Sequence, residues 1–394
     1  MLITIIVFVA VLGLLVFVHE LGHFFASRKF GVKAEEFGFG LPPRIFGYVK
    51  IDGKWKFVKG KDKNEQGEKR QYQNTIWSLN WIPVGGFVEI KGQDGQIREE
   101  SDSFGAKKIW QRMIMMASGV LMNFVLAMLL FSIGYMIGLP QVIDDNSTFK
   151  NVKVRDEKIQ ILSVFPDSAA SEAGLTPQDE VYAIDNINFS EISAIQEYIK
   201  ENSNQEMTLT IKRGQEETKT TITPKNIETE DGKTQKILGV ALVKTGVVSY
   251  PFIEAIWQGI VTFFLITKLI IVTFYGIIKD LIIHRSLTTE IAGPVGIAVV
   301  TGQVVKLGFI YVLQFAAILS INLGVLNFFP FPALDGGRFI GLIVEAIRRK
   351  PNNQRVESLI HNIGFGILMA LFALVTFRDI FKLGGSLLEK IGFG

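Results

Sequence analysis

The stretch LLVFVHELGHFFASRKF, residues 14–30, places two histidines and a glutamate inside a run otherwise built for lipid. Ionisable side chains at membrane depth are costly and are functional suspects by default. Here they form the pattern H-E-x-x-H at His19, Glu20 and His23. On a helix, positions i and i+4 share a face, so both imidazoles can reach one ion while Glu20 stands beside them near a bound water. The spacing suits zinc. Inert interfacial histidines near a helix end are the bland alternative, but a chance match among 4 histidines is improbable, on the order of a few in a thousand.

Working outward, the chain of 394 residues is 48% hydrophobic, with a mean hydropathy of +0.31, yet 20% of it is charged. The charge must be segregated from the apolar segments. A net charge of +3 gives no case for nucleic acid as a partner. The absence of cysteine excludes disulfides, thiolate metal sites and cysteine nucleophiles. The N-terminal run lacks the basic start and small-residue cleavage site of a signal peptide, so it reads as a retained transmembrane helix.

Crossing a hydrocarbon core about 30 Å thick takes about 20 helical residues. Four stretches qualify, roughly 2–26, 109–138, 305–329 and 358–382. A fifth, 251–283, is interrupted by Glu254, Lys268 and Lys279 and is expected to lie in the interface or to re-enter. The polar block 27–108 leans basic, and Arg338, Arg348, Arg349, Lys350 and Arg355 cluster in 338–357, which puts both blocks on the cytoplasmic side. Block 139–250 leans acidic, is long enough for an independent domain, and should face outward.

Two histidines need a further ligand, because catalytic zinc commonly takes three from the protein and keeps a fourth position open. His284 and His361 read as surface groups. Asp335, in INLGVLNFFPFPALDGGRF at 321–339, follows an apolar helix broken by Pro330 and Pro332. Read alone, L-D-G-G is also compatible with a simple helix-terminating turn.

Taken together, HELGH and NFFPFPALDGG resemble the site-2 protease family of intramembrane zinc metalloproteases, more narrowly the bacterial branch that cleaves membrane-embedded regulators such as anti-sigma factors. The second stretch matches N-x-x-P-x-P-x-L-D-G. Between the two, PDSAASEAGLTPQDEVYAIDN at 166–186 resembles a bacterial PDZ domain, with Ala173-Gly174-Leu175 and Asp179 at its usual AGL and D positions. The resemblance implies zinc held by His19, His23 and Asp335, with Glu20 as general base. It implies substrate handling by Asn322, Asn327, Pro330 and Pro332, and a re-entrant β element at 82–92 whose edge, Gly85, Gly86, Phe87 and Val88, lies near the site. SGVLMNFVLA at 118–127 matches a second-helix element in which Val120 replaces the expected proline and Asn123 lines the site. EIAGPVGIA at 290–298 corresponds to a region at the membrane surface.

The expected fold is a mainly α polytopic membrane protein with about four transmembrane helices, a re-entrant β element and one α+β PDZ domain. Its divisions are 1–138, 139–250, 251–300 and 301–394. The expected function is hydrolysis of peptide bonds in transmembrane segments of single-pass proteins at the inner (plasma) membrane, anti-sigma-factor-like regulators or remnant signal peptides among them. Expected partners are those substrates, the lipid bilayer and peptide C-termini at the PDZ domain. A PDZ-bearing scaffold with a structural metal is the rival reading, and a structural site has no use for Glu20. Topology adds a condition: Asp335 reaches the histidines only if 251–283 crosses an even number of times or not at all.

Overall fold

The computed structural model describes residues 2–60, 72–93, 100–143, 152–214, 216–228, 234–283 and 293–390. His284 and the start of the 290–298 stretch lie outside the described residues. The first helix, α1 (Leu2–Lys29), is about 42 Å long at 1.5 Å per residue and ends on Arg28 and Lys29, which suit the negative end of a helix dipole. Three strands follow, β1 (Ala34–Ile51), β2 (Lys54–Lys59) and β3 (Ile76–Ile90), in the sheet order β2-β1-β3. Both β1 and β3 double back: Phe37 pairs with Val88 and with Trp77, while Trp77 also pairs with Tyr48. Phe17 and Phe24 of α1 pack on Phe37, and Phe24 also meets Trp77. Inside the sheet, Arg44 donates to both oxygens of Glu36 at 2.9 and 2.8 Å, a pair shielded from solvent.

Next comes α2 (Ile109–Ile137). A Cβ on Gly22 would stand 2.3 Å from the Ser118 carbonyl oxygen, so α1 and α2 touch backbone to backbone because residue 22 has no side chain.

A separate compact unit, Ile133–Trp257, holds a six-stranded sheet. Its elements are β4 (Leu139–Val142), β5 (Lys153–Val164), α3 (Ala169–Glu172), β6 (Glu180–Ile184), α4 (Ile192–Glu201), β7 (Met207–Arg213), β8 (Glu216–Ile222), β9 (Lys225–Glu228), β10 (Thr234–Ile237) and β11 (Val240–Ser249). The sheet order is β4-β11-β5-β6-β7-β8, with β9 and β10 forming a separate pair. Ile161, Ile184, Ile195 and Leu209 fill its core. Asp179 is a buried anchor: Arg213 donates to both its oxygens at 2.7 and 2.8 Å, and the Thr176 N–H donates at 2.8 Å. Burial alone would push this carboxyl up, but the Arg213 and Thr176 bonds outweigh it and hold it below the usual carboxylate range.

The chain continues through α5 (Phe252–Ile283), α6 (Pro294–Leu307), α7 (Phe309–Asn327), α8 (Asp335–Arg348) and α9 (Gln354–Lys390). Residues 252–283, expected to lie in the interface or to re-enter, form one unbroken helix, since Glu254, Lys268 and Lys279 leave its backbone hydrogen bonds intact. Among the described residues it is one of five helices long and apolar enough to span, where about four transmembrane helices were expected.

The direction of α7 follows from the neighbours of α6. Gly302 lies against Thr4, about 22 Å up α1 from His19, and the Gly296 N–H donates to Asp379, about 27 Å along α9 from His361. From that far end α7 runs the same way as α1, and Ser320 Oγ donates to the Asn123 carbonyl at 2.8 Å.

Asp179 carries a stability prediction. A carboxyl whose folded pKa is depressed stabilises the fold above its unfolded pKa, about 3.9, and that contribution is lost as pH falls through the lower folded value. Chemical denaturation of the 133–257 unit should therefore show an acid limb below about pH 4 to which Asp179 contributes. Asp179→Ala should lower stability by roughly 1–3 kcal/mol at pH 7 and shrink that limb. Unchanged denaturation at pH 7 would contradict the anchoring role.

Candidate metal centre and active site

Helical spacing puts His19 and His23 on one face of α1, with their rings 4.9 Å apart. Asp335 arrives from the start of α8, more than three hundred positions later. His19 Nε2 and His23 Nε2 stand 3.2 Å apart, and Asp335 Oδ2 lies 2.9 Å from the first and 3.2 Å from the second. Tetrahedral zinc with bonds of about 2.0–2.1 Å separates its donors by about 3.3 Å. The three atoms therefore already stand at nearly the spacing a single zinc ion imposes.

The surroundings fix which nitrogen faces the ion. His23 Nδ1 lies 2.7 Å from the Met115 carbonyl oxygen and donates its proton there, which leaves Nε2 free as a ligand. His19 Nδ1 lies 3.3 Å from the Asn123 amide, whose Oδ1 is buried without a partner. With Nε2 committed to the metal, Nδ1 carries the proton. A half-turn of the Asn123 amide then presents Oδ1 to it and satisfies both groups. Asn123 is thus placed to hold the His19 tautomer.

Room for the imidazoles comes from Gly119. A Cβ there would stand 2.4 Å from His23 Nε2 and 2.7 Å from His19 Nε2. The loop before α8 is equally tight. A Cβ on Gly336 would meet the Phe328 and Phe329 carbonyl oxygens at 2.3 Å, and one on Gly337 would meet the Phe331 carbonyl oxygen at 2.3 Å. The glycine pair after Asp335 is therefore a steric requirement of the turn that presents it. Behind α8, Arg112 of α2 forms a buried two-point ion pair with Glu345 at 2.7 and 3.2 Å. Breaking such a pair costs about 3–5 kcal/mol, which ties the Asp335 helix to α2.

Glu20 is half-buried one position past His19, with its carboxylate near the Val88 backbone N–H. Gly85 and Gly86 press on α1 at Val16 and Phe17, so the Gly86–Ile90 part of β3 lies along α1 at the depth of Glu20. Phe87 and Val88 are half-buried there.

The remaining expected residues are less concentrated. Asn327 closes α7 and is half-buried, and Pro330 is exposed in the turn. Pro332 packs under Gly364 of α9. The Asn322 amide donates to Ile318 of its own helix at 3.1 Å, so no bond ties it to the triad. His361 is corrected: it is half-buried and its Nδ1 accepts the Ala333 N–H at 3.0 Å, a contact local sequence could not reveal because it closes across 28 residues. Gly119 and the Met115 carbonyl were also missed. The glycine in SGVLMNF was a visible signal, a small residue in an apolar helix, but nothing nearby said what would fill its space.

A family model described as Peptidase family M50 matches residues 7–58 and 68–371. The chain is 30% identical to the regulator of sigma-W protease RasP of Bacillus subtilis (strain 168), covering 96% of this chain and 99% of that one. It is 29% identical to the zinc metalloprotease RasP of Geobacillus kaustophilus (strain HTA426), covering 96% and 98%. Among solved structures, the PDZ domain of an SdrC-like protein from Listeria monocytogenes is similar at 21% identity, covering 23% of this chain and 92% of that one with a TM-score of 0.20. A paired imidazole and carboxylate triad spaced for one ion, set among apolar helices and matched over nearly its whole length, makes this chain a member of peptidase family M50, the site-2 proteases, and a membrane zinc metalloprotease.

Proposed function

We propose that this protease cuts peptide bonds inside transmembrane segments of single-pass proteins, anti-sigma-factor-like regulators in particular. The observation that carries the reading is the depth of the triad. His19 lies about 13 Å along α1 from Arg28, where the basic end begins. The substrate bond therefore meets the ligands within the hydrocarbon core and not at its surface.

When bound to His19, His23 and Asp335, zinc supplies Lewis acidity and a water of near-neutral pKa. Glu20 is the proton carrier, taking one from the attacking water and passing it to the leaving amine. The Val88 N–H aims the Glu20 carboxylate. A substrate helix must unwind before its carbonyl can be attacked, and its freed backbone groups need partners in lipid. The Gly86–Ile90 segment of β3 offers them by strand addition, with Gly85 and Gly86 leaving room at its start. Asn327 and the Asn322 oxygen supply further amide contacts, and Pro330 and Pro332 shape the turn that borders the cleft.

The membrane reading has α1, α2, α7 and α9 crossing a plasma membrane, with the basic blocks inside and the PDZ-like unit 133–257 outside. α6 lies against Thr4, at the end of α1 remote from the triad. We therefore assign α5 an incomplete, tilted insertion from the outer face. The PDZ-like unit either captures newly exposed C-termini or excludes substrates with bulky outer domains.

Three outcomes test these assignments. In liposomes with a model transmembrane substrate, Glu20→Gln should lower turnover on the order of 10²–10⁴-fold while zinc content stays near one per chain, and chelation should abolish cleavage. Gly119→Ala should crowd both imidazoles and weaken zinc retention by about 10–100-fold. In the cysteine-free chain, Ile283→Cys should stay unlabelled by an impermeant maleimide from the inner face, whereas labelling from that face would establish a complete crossing by α5.

A further inference from the structure

We infer that His361 is a positioning residue for Asp335, acting through the backbone of the turn that joins α7 to α8. The inference rests on the reading of Asp335 as a zinc ligand. Ala333, two positions before Asp335, adopts φ +78, a left-handed conformation that L side chains other than Asn and Asp rarely take up. Such a conformation persists only where its surroundings hold it, and here α9 does so from one side at two adjacent points. The Ala333 N–H donates to His361 Nδ1 at 3.0 Å. One turn further along α9, Gly364 lets that helix close on Pro332, where a Cβ would stand 2.4 Å from Pro332 Cβ and 2.7 Å from its carbonyl oxygen.

The hydrogen bond has chemical consequences. As an acceptor through Nδ1, His361 carries its proton on Nε2 and is neutral. Without it, the Ala333 N–H would lose this acceptor, and the left-handed turn would lose one of its two holds. Gly336 and Gly337 already press on the Phe328, Phe329 and Phe331 carbonyls, so the loop has little slack in which to relax locally. Relaxation would instead shift the start of α8, which bears Asp335. His361 thus fixes a metal ligand without touching the metal.

The test uses purified full-length protein in detergent and follows the rate at which a chelator withdraws zinc, alongside cleavage and the thermal unfolding midpoint. His361→Leu should speed zinc release about 10–100-fold, as loss of a ligand-orienting group does. His361→Asn, whose amide oxygen can stand where Nδ1 does, should restore slow release. In the Ala333→Gly background, where the left-handed turn carries no Cβ penalty, His361→Leu should speed release less than it does alone. Asp335→Ala is the control. If it retains zinc as the wild type does, the ligand reading fails and the proposal with it. If Asp335→Ala releases zinc quickly while a folded His361→Leu keeps the wild-type rate, the ligand reading stands and the positioning role is overturned. Equal losses in His361→Asn and His361→Leu would also overturn it, since they would reduce His361 to a packing residue.

Discussion

The arrangement turns on three donor atoms held about 3 Å apart within apolar helices. Two belong to one face of α1 and the third to a turn more than three hundred residues away. Desolvating two imidazoles and a carboxylate is expensive unless they share a cation or protons among them. The surrounding structure can be read as what it takes to hold them there. Gly22 lets α2 close on α1, Gly119 clears the volume the rings occupy, and the Gly336–Gly337 pair permits the turn that presents the carboxylate. None of these contacts tolerates a methyl group without a shift: at Gly22, Gly336 and Gly337 the limit is neighbouring backbone, and at Gly119 it is the imidazoles themselves.

A second layer orients what the first brings together. The Met115 carbonyl and Asn123 take the outward nitrogens of the two histidines, and Ser320 bonds the backbone of Asn123, which links α7 to the same point on α2. The Arg112–Glu345 pair fixes α8 to α2 from the basic end. Every helix that contributes to the triad is therefore tied to α2, although α2 itself supplies no ligand. In a bilayer, where apolar contact between helices gains little over contact with lipid, such polar ties and close glycine contacts take over the work of a hydrophobic core.

How far the sequence revealed this depended on the range of each interaction. H-E-x-x-H was legible because its geometry is closed within one helical turn. Asp335 became legible only through the motif around it, since nothing local distinguishes L-D-G-G from an ordinary helix stop. The tandem glycines had their reason in carbonyls up to eight residues upstream, in a turn whose shape no propensity encodes. His361 was misread as a surface group because its partner is an Ala333 N–H made available by a left-handed residue, and alanine gives no warning of that conformation. Hydropathy placed α1, α2, α7 and α9 well. It failed to resolve α5, because one lysine or glutamate per few turns is compatible with a spanning helix, a tilted one or a break.

The sheet beside α1 follows from the same constraint. Its contacts on that helix run from Gly13, where Gly85 approaches, to Phe24, where Trp77 packs, so strand backbone lies at the depth of the triad. Non-helical backbone is tolerated at such depth only where protein buries it or water reaches it. Part of the need is met internally, by Glu36 and Arg44 and by the Asn80 amide donating to the Gly40 carbonyl. The Gly86–Ile90 segment is the exception, with strand pairing to β1 on one side and Glu20 beside it on the other. Hydrolysis needs at that point the two things lipid withholds, water and free backbone partners. A strand edge beside Glu20 offers the second of these, which gives a helical protease a physical reason to pack a sheet against the helix that bears its histidines.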